Sequence, residues 1–324
     1  MTDRILDFSE SGAHLSLQYN QLVIRREGAG KPITTPVEEL AALILSNPAI
    51  TITQPLMAAL AEAGAVLVVC AANHIPISLL TPLQGHSTQA ERMARQAAAP
   101  LPLRKRIWKT IVQSKIRSQA RLLEELTGGD AGLRAIANRV RSGDPDNCEA
   151  HAARVYWPLV FANPDFRRNP EGEGTNPFLN YGYAILRAIT ARALCATGLH
   201  PSLGVHHHNR YDACCLADDL MEPFRPIVDR AVAKGLPEWG PDTGMNRDIK
   251  RALLGALTAE VEIEGQSRSL FDLLRHASAS LAAVLCEEAA NMRLPAWEKT
   301  GVALRNRNDE DQPHEARSPK EEEP

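Results

Sequence analysis

One change of pattern constrains this chain more than any single motif. Up to about residue 85 its apolar residues alternate, or cluster in short runs bounded by turn residues. From the loop "TPLQGHST" (81–88) to about residue 296 they recur at helical spacing instead. Alternation and helical spacing place side chains on a face in different ways, so one kind of layer cannot satisfy both. The pattern predicts an α+β protein, with a β-rich N-terminal domain over 1–85 and an all-α C-terminal domain over 86–300. At 324 residues the chain is long enough to build both cores.

Within the first part, "HLSLQ" and "LVIRR" flank "YN" and predict a hairpin. In "TPVEELAALILSN", Thr35 stands as an N-cap, Pro36 suits the first helical position and Glu38 completes a capping box. These signals predict a helix that "NP" at 47–48 stops. "AITIT" reads as a strand, "QPLMAALAEAG" as a short helix ended by Gly64, and "AVLVVC" as a buried strand. Beyond residue 88 the clearest helix is "RKRIWKTIVQSKIRSQARLLEEL", with Ile107, Ile111, Ile116 and Leu122 on one side.

The net charge of −3 hides an uneven distribution. The stretch from Asn308 holds seven acids against Arg317 and Lys320, a balance of −5, so the rest of the chain carries +2. That tail is polar and aperiodic, and disorder is expected over 301–324. Residues 104–121 hold seven Lys or Arg and no acid. Such a face is either solvated or turned to phosphates. No apolar run has the length of a bilayer span, and "MTDRILDFSE" lacks the pattern of a signal peptide, so a cytoplasmic location with no membrane partner is expected. The six cysteines form no CxxC and several lie in apolar runs. Buried free thiols are expected, not zinc held through cysteine.

Two segments carry candidate chemistry. In "PDNCEAHAARVYWPLVF", Glu149 shares a helical side with Ala152, Ala153, Tyr156 and Val160. A carboxylate on such a stripe requires a cation or a metal, or else it complements the helix dipole from the first turn. In "GLHPSLGVHHHNRYDACCLADDLMEPFRPIVD", the apolar stripe of Ala213, Leu216, Ala217, Leu220 and Phe224 leaves Asp218, Asp219, Glu222 and Arg225 on the other side. A solvated face would look the same. Pro223, however, should kink or end the helix, and Asp219 and Glu222 are spaced to share one ligand. Neighbouring residues point in different directions, so at most one of His206, His207 and His208 faces inward. One histidine with two or three carboxylates suits Mg²⁺ or Mn²⁺ better than zinc, and such an ion serves phosphodiester chemistry.

Seven segments in order resemble the CRISPR spacer-acquisition integrase family, Cas1, in its type II form. They are "ILDFSESGAHLSLQYNQLVI", "PVEELAALILSN", "AEAGAVLVVC", "PLQGHSTQAER", "SGDPDNCEAHAARVYW", "NPFLNYGYAILRA" and the histidine-rich segment above, and the resemblance covers nearly all of residues 4–297. It implies Glu149, His207 and Glu222 as ligands of Mg²⁺ or Mn²⁺, with Asp219 supporting them in catalysis. It implies Asn180, Tyr181 and Tyr183 as pocket-lining residues. Arg104, Lys105, Arg106, Lys109, Lys115, Arg117, Arg167 and Arg168 would hold the backbone of double-stranded DNA. It also implies a homodimer through the N-terminal domains, and two such dimers bridged by the small protein Cas2 into a heterohexamer. The type II effector nuclease is a further partner of the locus. The implied reaction is attack of a DNA 3′-hydroxyl on a phosphodiester at the edge of a CRISPR repeat. Two rival readings are a generic divalent-metal DNA phosphodiesterase, which would cut without joining, and a non-catalytic DNA-binding scaffold.

Overall fold

The computed structural model describes residues 3–297 apart from 27, 29, 72–75, 83 and 264, so the acidic tail lies outside the described residues. The first part builds two four-stranded sheets. Strands β2 (Ala13–Gln18) and β3 (Gln21–Arg25) form the expected hairpin, with Gln18 opposite Gln21. Tyr19 and Asn20 turn the corner at φ of 51° and 58°, as a two-residue hairpin turn matched to strand twist requires. β4 (Ile33–Pro36) and β6 (Ile50–Ile52) complete the order β4-β3-β2-β6. The second sheet has the order β1-β5-β7-β8, from β1 (Arg4–Phe8), β5 (Leu40–Leu45), β7 (Val66–Cys70) and β8 (Pro76–Leu80). Helix α1 (Gln54–Glu62) links β6 to β7, as read from the sequence.

The helix expected after Thr35 does not form. Thr35 and Pro36 end β4, Val37–Glu39 make one 3-10 turn, and "LAALIL" is the strand β5 between two parallel neighbours. A strand buried on both faces is apolar throughout, and periodicity cannot separate such a run from a buried helix. Its two faces serve two cores. Ala42 and Ile44, with Val66 and Val68 of β7, pack among the helices. Leu43 and Leu67 pack on the other side with Leu15, Leu22, Leu56 and Leu60.

The second part is helical, in the order α2 (Gln89–Ala97), α3 (Leu101–Thr127), α4 (Leu133–Arg139), α5 (Cys148–Val160), α6 (Asn176–Ala196), α7 (Cys215–Met221), α8 (Arg225–Trp239), α9 (Arg247–Thr258) and α10 (Leu270–Leu285). The all-α expectation needs one correction. A hairpin of β9 (Glu260–Ile263) and β10 (Gln266–Ser269) stands between α9 and α10, seating Val261 and Ile263 in the helical core. Its brief alternation, "VEIEGQSRS", is too short to stand out among helices.

The 27 residues of α3 make a rod about 40 Å long, closed by Gly128 in the left-handed conformation. It touches α4, α5, α7, α8 and the turn after α7, which makes it the spine of this half. Among the described residues no helix is long and apolar enough to cross a membrane. All six cysteines are free, and Cys148, Cys215 and Cys286 are buried.

Two helical glycines should respond oppositely to substitution. A Cβ at Gly182 of α6 would overlap Val228 Cγ1 of α8, while one at Gly255 of α9 would meet nothing within 4 Å. Gly182→Val is expected to destabilise by about 2 kcal/mol through overpacking. Gly255→Ala should stabilise by up to ~1 kcal/mol through helix propensity. Urea unfolding of the two variants checks both signs.

Candidate active site

The site is built around a helix break. Pro223 lacks an N–H and its ring crowds the preceding turn. As expected, α7 ends at Met221, a 3-10 turn spans Glu222–Phe224, and α8 begins at Arg225. The spacing of these acids fits either a solvated face or a site, and burial decides for the second, since Asp218, Asp219 and Glu222 are only 6%, 0% and 4% exposed. That face is not outer, because α3, α6 and α10 all pack on α7. A buried carboxylate requires compensation, and each of the three has a different partner.

Asp218 turns to α6, where Arg187 meets it through both nitrogens at 2.6 and 2.8 Å. Burial and a hydrogen bond with Asp212 outweigh Arg187 and push its pKa up to about 6. Asp219 instead holds the histidine loop. Its Oδ2 accepts from the backbone N–H groups of Val205 and His206 at 2.7 and 2.9 Å, and its Oδ1 accepts from that of His207 at 3.2 Å. Gly204 permits this closure, since a Cβ there would overlap the His207 carbonyl oxygen and crowd Asp219 Oδ2 at 3.1 Å. Asp219 Oδ1 also meets His207 Nδ1 at 2.6 Å. An ionised carboxylate only accepts, so Nδ1 carries the proton and Nε2 presents a free lone pair. This hydrogen bond holds the His207 pKa above the ordinary histidine value.

The three histidines thus have different roles. His206 stacks on Trp108 of α3 at 4.0 Å between ring centres, and burial lowers its pKa. His207 is set edge-on to the same indole at 5.7 Å. His208 is exposed.

Glu222 receives two cations. Arg225 Nη2 lies 3.0 Å from Oε1, and Lys115 Nζ lies 2.6 Å from Oε2. The second is a charge contact off the hydrogen-bond direction, which leaves Oε2 without an aligned donor. The same ammonium donates to Glu149 Oε1 at 2.6 Å. Burial would push the Glu222 carboxyl up, but Arg225 and Lys115 outweigh it and hold the pKa below the usual range. Burial would likewise lower Lys115, but the two glutamates raise it. Glu149 is free for this role because Asp144 caps α5, accepting from the N–H groups of Cys148 and Glu149 at 2.9 and 3.0 Å. Of its two sequence readings, the stripe that needs a cation describes its geometry.

Asn180 and Tyr183 both meet Arg168, which lies 5.5 Å from the centre of the Tyr183 ring, while Tyr181 turns elsewhere. The Tyr183 hydroxyl donates to the buried Asp229, which also accepts from Tyr156 at 2.6 Å. Burial, against those hydrogen bonds, pushes Asp229 up to about 6. The Tyr183 ring faces the Arg225 guanidinium at 4.8 Å and so backs the arginine that holds Glu222. Tyr181 reaches the other half of the molecule, donating to Asp7 of β1 at 3.3 Å, and Asn180 accepts from Arg168 at 2.5 Å.

The basic residues also divide. At about 100° per residue, Arg104, Trp108 and Lys115 share one side of α3, with Arg106, Lys109 and Arg117 about half a turn away. Arg104 donates to the carbonyls of Gly204 and Val205, bracing the histidine loop from α3. Lys115, expected among the phosphate contacts, is here enclosed between two carboxylates and stands apart from the exposed basic residues. Lys105, Arg106 and Arg167 are exposed and Lys109 and Arg117 half-buried, while Arg168 is committed to Asn176 and Asn180. Arg225 was read as part of a charged face but acts as a clamp. Trp108, the platform for two histidines, was not singled out. Its large apolar ring in the core stripe beside Lys115 was the available signal.

Among the described residues no group of three or more His, Cys, Asp or Glu side chains is arranged to hold a metal ion as it stands. Two observations nevertheless fit one. The oxygens of Glu149 and Glu222 converge on a single cation, and Glu222 Oε2 has a lone pair with no aligned donor. Carboxylates beside an imidazole are a donor set for a hard divalent ion. Asp219, saturated by the loop, orients His207. Asp219→Asn is expected to cost about 2 kcal/mol of stability. It should also lower the His207 pKa, followed by NMR of labelled histidine carbons, because the hydrogen bond that raises it is weakened.

The family model for CRISPR associated protein Cas1 matches residues 8–238. A CRISPR-associated endonuclease Cas1 of Neisseria meningitidis serogroup C (strain 8013) is 36% identical over 290 residues, covering 88% of this chain and 94% of that relative. Two solved structures share the fold. A casposase bound to integration product has a TM-score of 0.73 at 18% identity, covering 89% of this chain and 92% of that one. A Cas6-RT-Cas1–Cas2 complex has a TM-score of 0.70 at 17% identity, covering 92% of this chain and 36% of that chain. On the extent of the family match and the identity to the Neisseria relative, this chain belongs to the CRISPR-associated Cas1 family.

Proposed function

We propose that this chain is an integrase of CRISPR adaptation. It joins the 3′-hydroxyl of a captured DNA fragment to a phosphodiester at the edge of a CRISPR repeat, and acts as an endonuclease when water attacks instead. The observation that carries this reading is the convergence of Glu149 and Glu222 on one cation position, with His207 near enough to feel the Glu222 charge, in a member of the Cas1 family. The Neisseria relative is itself named an endonuclease.

Glu149, Glu222 and His207 would hold Mg²⁺ or Mn²⁺. When bound, the ion supplies neutralising charge at the phosphoryl group and makes the attacking hydroxyl more acidic. The chain's own contribution is rigidity. Asp219 fixes the His207 ring, and Arg225, backed by Tyr183, fixes Glu222, so the donors are set before substrate arrives. Lys105, Arg106, Lys109, Arg117 and Arg167 contact the backbone of double-stranded DNA without reading its bases. Because Arg106, Lys109 and Arg117 lie across α3 from Lys115, they hold DNA flanking the reacting phosphate.

In the assembly, two chains pair through their N-terminal parts, and two such homodimers bridged by Cas2 make a heterohexamer. The type II effector nuclease joins during capture. The exposed apolar side chains Tyr19, Ile33, Val69, Ile77 and Leu80, all in the N-terminal part, support pairing there.

The test is strand transfer of a labelled duplex into a supercoiled repeat-bearing plasmid, with Cas2, in Mg²⁺, Mn²⁺ or EDTA. Joining is expected with either ion and not in EDTA. Cutting without joining would leave a nuclease and remove the integrase. Glu149→Ala, His207→Ala and Glu222→Ala should each lower joining by at least about 100-fold, the scale of lost electrostatic stabilisation, while remaining dimeric in solution.

Metal affinity should also depend on pH. A proton on His207 Nε2 excludes the ion, and Asp219 keeps that proton bound to a higher pH than in an ordinary histidine. Mn²⁺ binding is therefore expected to weaken as pH falls, starting above the ordinary histidine range. A titration of affinity against pH checks this.

A further inference from the structure

Lys115 is the cation on which both glutamates converge. Its ammonium stands 2.6 Å from Glu149 Oε1 and 2.6 Å from Glu222 Oε2, with only 14% of its side chain exposed. With Arg225 on the other Glu222 oxygen, the four groups are electrically neutral as a set. A divalent ion bound between the same oxygens would lie against the ammonium and leave the set doubly positive. Two like-charged cations cannot share that space in a buried environment. The helix axes need not move to relieve this. The lysine has a flexible four-carbon stem, and the Glu149 side chain at the mouth is 26% exposed against 5% for Glu222 at the floor.

We propose that Lys115 is an exchangeable internal counter-ion. In the metal-free protein it holds Glu149 and Glu222 together, and on metal binding its ammonium is displaced toward the mouth of the site, where the phosphate of bound DNA becomes its new partner. Lys115 is thus a positioning residue acting through the two glutamates, and the inference rests on the reading of those glutamates as metal ligands. Two consequences follow. Lys115 competes with the ion, so it weakens metal binding when DNA is absent. DNA gives the displaced ammonium a partner, so Lys115 adds to the cooperativity that the ion's own contact with phosphate creates between metal and DNA.

The experiment is Mn²⁺ binding to the full chain by calorimetry, with and without a short DNA duplex, for wild type, Lys115→Met, Lys115→Gln and Lys115→Arg. Melting in EDTA and in Mn²⁺ is followed in parallel. Without DNA, Lys115→Met is expected to bind Mn²⁺ at least about tenfold tighter than wild type, and Lys115→Arg to stay near wild type. DNA should tighten Mn²⁺ binding to wild type by a larger factor than to Lys115→Met, where only the direct contact of phosphate with the ion remains. Lys115→Met should melt lower than wild type in EDTA and gain more from Mn²⁺. Lys115→Gln, whose amide still donates to a carboxylate, carries the same affinity test if the methionine variant does not fold. Equal or weaker Mn²⁺ affinity in the neutral variants would overturn the exchange while leaving the metal site standing. Absence of Mn²⁺ binding in every protein would overturn the metal reading, and the exchange with it.

Discussion

A carboxylate buried at a helix break sets the terms for the rest of this molecule. Glu222 is almost wholly enclosed, and burial alone would neutralise it. It stays ionised because Arg225 and Lys115 each meet one of its oxygens. Those two cations come from different elements, one from the start of α8 and one from the middle of α3. Removing either would leave a buried charge with half its compensation, a far larger penalty than losing a surface pair. The crossing of α3 with the turn after α7 is therefore bound to the electrostatics of the site as well as to its apolar packing.

The same logic extends outward in layers. Arg225 is backed by the Tyr183 ring, and Tyr183 with Tyr156 satisfies the buried Asp229. Asp219 ties the histidine loop to α7, while Arg104 ties the same loop to α3 from the other side. Each tie satisfies a buried polar group and also fixes one functional side chain, so stability and preorganisation are the same interactions here. α3 separates two electrostatic environments. One side supplies Lys115 to a neutral, enclosed cluster, and the other carries Arg106, Lys109 and Arg117, which form no ion pair among the described residues. A single run of basic residues thereby does two unlike jobs.

Much of this was legible in the chain. Alternation around "YN" identified the hairpin, Pro223 identified the helix break, and the stripe through Ala152 and Tyr156 turned Glu149 inward. The failures share a cause. "LAALIL" was read as helix because a strand covered on both faces loses the alternation that marks strands. For Asp218, Asp219 and Glu222 the spacing leaves a solvated face and a site equally possible, because local periodicity cannot tell whether a second layer covers that side. Lys115 was grouped with its basic neighbours by composition. Its spacing from Trp108, Ile111 and Leu122 places it on the apolar side of α3, and that was the signal for its different role.

By itself the sequence determined the order and kind of most elements, the place where α7 must stop, and the residue types able to bind a hard cation. Those are local properties, set by backbone sterics and by the spacing of apolar residues along a few turns. Only the tertiary structure decided which of two adjacent aspartates holds the loop, which of three histidines a carboxylate orients, and which lysine stands between the glutamates. Each of those outcomes depends on partners distant in the chain, brought within hydrogen-bond reach by packing, and direction in space at that range is not written in any local pattern.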